Sequence, residues 1–381
     1  MKNAILQSQV IAWLRFPLII GVVFIHSFGN YPYDLQIMHS DPFSGVSIFN
    51  WIRICLSNVI THISVPAFYL ISGYLFFYNL GGAFGINIYK KKIKRRFRSL
   101  LIPYLLWNLM AILIVVTLKL GAHIVKGKPL SNILVWFHDN GWWHLFWDNN
   151  VWGENTMSWA GTVVPMTGPA DLPLWYLRDL IIIVLISPLV FYYLKYTKFY
   201  GIFILALAYI SKIWPNIHGL SITAVFFFSI GAYFSLNNKN LVDEFKKIRG
   251  PAYVLFMLLF FPMTWFNGKN TIEGSLIYPF FIIIGVCVIF NVSSMLIEKE
   301  KVKVHPLLTQ STFFIYALHT LMILRICSFI INRIIGSTNA LALIISYLMT
   351  PILTIFCCLA LYILMKRFFP RLLGLLTGDR I

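Results

Sequence analysis

The stretch Val10-Ile11-Ala12-Trp13-Leu14-Arg15-Phe16-Pro17-Leu18-Ile19-Ile20-Gly21-Val22-Val23-Phe24-Ile25-His26-Ser27-Phe28-Gly29 runs for twenty residues, of which only Arg15 carries a fixed charge. At about 1.5 Å per residue it makes a helix about 30 Å long, the thickness of a bilayer's hydrocarbon core. A removed signal peptide would need a basic leader and a small-residue cleavage site. Here the leader has only Lys2, Arg15 sits inside the block, and no such site follows Gly29-Asn30-Tyr31. The block therefore reads as a retained first membrane helix.

The rest of the chain repeats this pattern. Of its 381 residues, 59% are hydrophobic and only 12% charged, and the mean hydropathy is +0.77. A soluble chain carries about twice that charged share. Apolar blocks of near-bilayer length follow at Ser57–Tyr78, Leu100–Gly121, Pro173–Leu194, Phe199–Trp214, Leu220–Leu236, Pro251–Phe266, Ser275–Ile297, Leu308–Asn332 and Ala340–Met365. The expected fold class is all-α integral membrane, a bundle of about ten transmembrane helices. The whole chain, 1–381, reads as a single transmembrane domain, with a long Trp-rich extracytoplasmic loop at about 122–172.

Charge sets the expected orientation. With the N-terminus inside, alternate loops hold Lys90–Arg98, Lys195 with Lys198, Lys239–Arg249, Lys299–Lys303 and the Lys366–Arg380 tail, about twenty of the 31 Lys and Arg residues. Both termini are then cytoplasmic. The net charge of +18 is topogenic and faces anionic lipid; no nucleic-acid motif accompanies it, so no nucleic-acid partner is expected. Acidic residues lean the other way: Asp34, Asp41, Asp139, Asp148, Glu154, Asp171 and Glu273 all fall in outside loops. The five cysteines include no Cys-x-x-Cys pair, which argues against a metal or redox centre and for small core residues.

Polar groups inside spans are costly and mark candidate sites. Arg15 and His26 are eleven steps apart, which brings them to within about 20° on one helix face and separates them by about 16 Å. An anion-holding Arg near the surface and a base further in fit that geometry; a snorkelling Arg and a core His fit it too. Tyr316 and His319 share a face one turn apart, either as site residues or as interhelical glue. In Ser64-Val65-Pro66…Ser72-Gly73-Tyr74, Pro66 loosens the helix and Ser72-Gly73 permits close approach of a neighbour. The basic run Lys90–Arg98 is ordinarily topology, but Arg95 and Arg98, three apart, project together as a guanidinium pair suited to phosphate. Pro173-Leu174-Trp175-Tyr176-Leu177-Arg178-Asp179-Leu180 opens the fourth span. Adjacent helix positions point apart, so Arg178 and Asp179 should each need another partner. Six of the 12 tryptophans lie between Trp136 and Trp159, among them Trp142 and Trp143. They suit either stacking on sugar rings or anchoring at the lipid boundary.

In order and spacing, Arg15-x10-His26, Val65-Pro66…Ser72-Gly73-Tyr74, Arg95-x-x-Arg98 before Ile102-Pro103-Tyr104, Leu174-Trp175-Tyr176-Leu177 and Tyr316-x-x-His319 resemble the acyltransferase-3 family of integral-membrane acyltransferases, typified by bacterial O-acetyltransferases of surface polysaccharides. The resemblance runs from the first span to the ninth. It implies ten core helices in a bacterial inner membrane and no permanently bound cofactor. Acyl-CoA, in its acetyl form, would be the donor substrate, and a cell-surface or lipid-linked glycan the acceptor. His26, His319 and Tyr316 become the expected catalytic group, with His26 as general base or transient acyl carrier. Arg15, Arg95 and Arg98 become the acyl-CoA-binding group, and Trp142, Trp143, Trp175, Arg178 and Asp179 the acceptor-binding group. The Trp-rich loop is longer than the family pattern leads one to expect, so the acceptor does not carry over. The competing function is a transporter or exporter of a polysaccharide or small solute. Ion-coupled transporters place carboxylates near the midplane, and no Asp or Glu falls mid-span here.

Overall fold

In lipid, an apolar run must satisfy its backbone internally, and a helix does so. A computed structural model describes residues 2–28, 34–80, 84–127, 129, 138, 143–148, 156–159, 162–165, 168–214, 217–336 and 339–380. Its helices are α1 (Lys2–His26), α2 (Leu35–Ser40), α3 (Gly45–Phe77), α4 (Ile86–Val125), α5 (Leu172–Leu185), α6 (Ser187–Ser211), α7 (Ile222–Leu236), α8 (Leu241–Lys247), α9 (Arg249–Trp265), α10 (Ile272–Glu298), α11 (Pro306–Ile335), α12 (Ala340–Phe368) and α13 (Pro370–Thr377). One short antiparallel hairpin pairs Thr156–Trp159 with Thr162–Pro165. The described part of the chain is otherwise helical or irregular.

Among the described residues, six helices (α1, α3, α4, α10, α11 and α12) are long and apolar enough to cross a bilayer alone, and eight spans result if the bent pairs α5–α6 and α8–α9 each count once. The hydropathy pattern had suggested about ten. It separates Pro173–Leu194 from Phe199–Trp214, whereas α6 runs through that junction with one non-helical residue, Lys198 (φ 52°, ψ −130°). The larger bend, 64°, falls between Leu185 and Ser187. Pro188 explains it, because proline lacks an N–H and disfavours helical backbone in the residue before it. With 15 residues, α7 is short for a span on its own.

Polar and small side chains lock the bundle. The Gln7 amide donates to the Tyr74 hydroxyl at 2.8 Å and its carbonyl accepts from the Leu241 N–H at 2.6 Å, tying α1 to α3 and α8. Where α3 crosses α7 the backbones touch. A Cβ on Gly73 would lie 2.0 Å from the Phe228 carbonyl oxygen, and one on Gly231 would lie 2.0 Å from that of Leu70. Small residues permit such crossings in membranes. Phe76, Phe77, Phe84, Phe191 and Phe228 interlock beside it, with ring centroids 5.1–6.5 Å apart. Gly73→Leu or Gly231→Leu should force the pair apart at a cost of about 1–3 kcal/mol or more. The check is the thermal-unfolding midpoint in detergent, and an unchanged midpoint would refute the tight crossing.

Regular helix also fails elsewhere, including a π turn at Phe97–Leu101 within α4. Ile54–Ile63 within α3 is π and then 3-10 helix, and His319–Ile323 within α11 is a π turn with non-helical Leu321 and Met322, the latter at φ 72°. Irregularities of this kind concentrate at functional positions.

Candidate active site

His26 is the last residue of α1, and His319 opens the break in α11. Their ring centroids are 5.2 Å apart at 55°. His319 is fully buried. Its Nδ1 lies 2.8 Å from the Tyr316 carbonyl and 3.1 Å from that of Ile315. A carbonyl can only accept, so Nδ1 carries the proton and Nε2 keeps its lone pair. Among the described residues that Nε2 has no hydrogen-bond partner. A fixed neutral tautomer with a free lone pair beside a half-buried second imidazole is an arrangement suited to proton transfer.

Tyr316 has a different position. Its hydroxyl donates to the Pro173 carbonyl, which pins the start of α5 inside the bundle. Thr320 Oγ1 donates to Asp171 Oδ1 at 3.0 Å, and the Asp171 N–H donates to Asn108 Oδ1 at 3.0 Å. Asp171 is fully buried, and its Oδ2 has no partner among the described residues. The Ala170 N–H donates to the Leu145 carbonyl at 2.7 Å, and the Tyr104 hydroxyl donates to that of Phe146. Segments 143–148 and 168–174 are thus drawn in against α4 and α11.

Arg178 and Asp179 do not point apart. The Arg178 side chain curls back, so that Nε and Nη2 donate to Asp179 Oδ1 at 3.2 and 3.1 Å while Nη1 donates to the Trp147 carbonyl at 2.5 Å. The long Arg stem overrides the helical phase because both groups are buried and each is the other's nearest counter-charge. Asp179 Oδ2 also accepts from the Ser221 N–H at 3.4 Å.

Three arginines gather at the other end of the site. Arg15 on α1, Arg96 on α4 and Arg380 after α13 lie within electrostatic reach of one another and of the Tyr176 hydroxyl. Among the described residues none of the three has a carboxylate partner. The Tyr176 hydroxyl is 3.4 Å from Ser72 Oγ. Burial, and then the charges of Arg96 and Arg15, pull Arg380 down to about 10, so it stays cationic at neutral pH. Like charges held together without a counter-charge repel, and such a cluster suits a phosphate-bearing anion. Arg95 and Arg98 are exposed, while Arg96 is half-buried with its guanidinium 5.8 Å from the Phe76 ring. Arg96 and Arg380 did not emerge from the motif spacing. For Arg96 a signal existed, because Tyr89, Ile93 and Leu100 pack inward at positions that share its helix face.

Toward the Trp-rich loop, Trp143 is 62% exposed and its ring lies 3.6 Å from that of His144. His144 pairs with Asp148, whose other oxygen is 3.4 Å from His218 Nδ1. Trp175 is half-buried at the start of α5. Trp142 and 24 of the 51 residues of 122–172 lie outside the described residues.

Comparison with known proteins bears on this geometry. The succinoglycan biosynthesis protein ExoH of Rhizobium meliloti (strain 1021) is 26% identical to this chain over 385 aligned residues, covering 98% of this chain and 92% of that protein. No solved structure matches. The sequence model of the acyltransferase-3 family, described as an acyltransferase domain, matches residues 9–365, so it takes in α1 with Arg15 and His26, the basic helix, and α11 with His319. This multi-pass membrane protein belongs to the acyltransferase-3 family.

Proposed function

We propose that the protein moves an acetyl group from acetyl-CoA, entering on the cytoplasmic side, to a hydroxyl of a cell-surface or lipid-linked glycan, as one multi-pass domain in a bacterial inner membrane with both termini cytoplasmic. One observation carries the reading: three arginines with no carboxylate partner among the described residues lie at one end of the site and a histidine pair at the other, with Arg15 and His26 about 16 Å apart along α1. An extended pantetheine arm bridges such a gap. Its phosphates rest on Arg15 and Arg96 and its thioester reaches His26.

In this reading His26 is the general base. It takes the proton of the acceptor hydroxyl as that oxygen attacks the thioester carbonyl. The new C–O bond forms, the C–S bond breaks, and the proton passes from His26 to the departing coenzyme A sulfur. The free His319 Nε2 can accept the N–H of His26 and fix its tautomer, as an orienting group does in other catalytic sets. Tyr316 acts by holding the Pro173 segment. Arg95 and Arg98 contribute to the attractive field at the surface. Trp142, Trp143 and Trp175 offer aromatic faces to the glycan, and the Arg178–Asp179 pair positions the segment that carries Trp143 and Trp147. The relative's role in succinoglycan biosynthesis favours a polysaccharide acceptor.

The test is acceptor-dependent release of coenzyme A thiol by detergent-purified protein, with transfer of the labelled acetyl group to glycan. A transporter would yield neither. On the same preparation, Trp142→Ala with Trp143→Ala should lower acceptor-dependent turnover and leave acetyl-CoA affinity unchanged. Parallel losses for both substrates would make the tryptophans anchors.

A further inference from the structure

The family match ends at residue 365, yet the chain beyond it is built into the bundle. α13 folds back on α4, where the Trp107 indole donates to the Leu376 carbonyl at 2.9 Å, and Leu373 and Leu376 are buried. The helix ends at Gly378, in left-handed backbone at φ 64°, and the Asp379 N–H closes the turn on the Gly374 carbonyl at 2.8 Å. A Cβ on Gly378 would lie 2.5 Å from Ser99 Cα and 2.7 Å from the Ser99 carbonyl oxygen. Both the backbone angle and the contact therefore require glycine.

This docking delivers Arg380. Its Nη2 donates to the Ser99 carbonyl at 2.9 Å, and its guanidinium lies 4.4 Å from the centre of the Phe313 ring. Ser99 belongs to the π turn Phe97–Leu101, one turn beyond Arg96. The ring and the single carbonyl bond fix the guanidinium. Its other N–H groups have no partner among the described residues. An arginine that served only packing would not be held within electrostatic reach of two more arginines with no carboxylate partner among the described residues.

We infer that the 370–380 segment completes the anion site: docked through Gly378, it supplies Arg380 as a third guanidinium that contacts a phosphate or diphosphate group together with Arg15 and Arg96. With coenzyme A as that ligand the inference rests on the proposed function, but the anion site itself does not.

The experiment uses the full chain in detergent and two probes, inorganic pyrophosphate and coenzyme A, with pantetheine as the phosphate-free control. Calorimetry reads affinity, and the ligand-free unfolding midpoint reads folding. Arg380→Gln should weaken both phosphate probes about ten- to a hundred-fold, the range for charge-assisted bonds, and leave pantetheine binding unaltered. Arg380→Lys, which keeps the charge but loses the fork, should recover part of the loss. Gly378→Val should match Arg380→Gln by undocking the segment. Wild-type affinities in Arg380→Gln, with losses in Arg96→Gln, would overturn the inference and reduce the segment to packing. Pyrophosphate binding that depends on Arg380, without coenzyme A binding, would uphold the anion site and sink the donor assignment. Failure of the wild type to bind either probe would sink both.

Discussion

His26→Ala is expected to lower acyl-transfer turnover by about 10²- to 10⁴-fold, the span that general acid–base catalysis supplies, while coenzyme A still binds. In the proposed arrangement the donor's phosphates would sit at the arginine end, about 16 Å from His26 along α1, so removal of one imidazole should leave that anchorage intact. The fold should survive as well, because His26 is half-buried at a helix end and alanine is the cheaper side chain in lipid. His319→Ala should cause a loss of similar kind, since the His26 ring then has no partner 5.2 Å away. Residues acting as a unit are not additive, so the double variant should be about as slow as the slower single one. Turnover is to be read with saturating donor, alongside coenzyme A affinity. Near-wild-type turnover in His26→Ala would remove the base from this scheme, and additive losses would separate the two histidines.

Arg96→Gln is expected to raise the apparent KM for acetyl-CoA about ten- to a hundred-fold with kcat little changed, because a charge-assisted bond to phosphate contributes about 1.5–3 kcal/mol to donor binding. Arg95→Gln with Arg98→Gln should change KM only a few-fold, and that change should fade as salt is added, since exposed charges act through a screened field. Lys90, Lys91, Lys92 and Lys94 remain to preserve topology in either variant. Steady-state kinetics at two ionic strengths distinguish the two cases. If the exposed pair carried the large, salt-resistant effect and Arg96 the small one, the inward cluster would not be the donor site.

The two sets of arginines show how far local pattern reaches. Spacing alone pairs Arg95 with Arg98 on one face. It also aligns Arg96 with Tyr89, Ile93 and Leu100, and the choice between these faces depends on which one meets α3. Phe76 is what Arg96 and Lys92 meet there. The Arg178–Asp179 pair shows the same limit from the other side: helical phase sends neighbours apart, but a long side chain in a buried setting bends back to the nearest opposite charge.

By itself the sequence determined that this chain is a helical membrane protein, that Arg15 and His26 share a face of the first helix, and that its ordered motifs resemble the acyltransferase-3 family. Those features are local, set by the length of apolar runs and by the 3.6-residue period within one helix. Only the tertiary structure decided that His26 meets His319, that Tyr316 holds Pro173 and that Arg380 returns to Ser99. Each of these joins segments far apart in the chain, or depends on how neighbouring helices pack. A period repeats every few residues and carries no information about which distant helix a face will meet. That partner is chosen by close packing at positions such as Gly73, Gly231 and Gly378, where a single added carbon would overlap the neighbouring backbone.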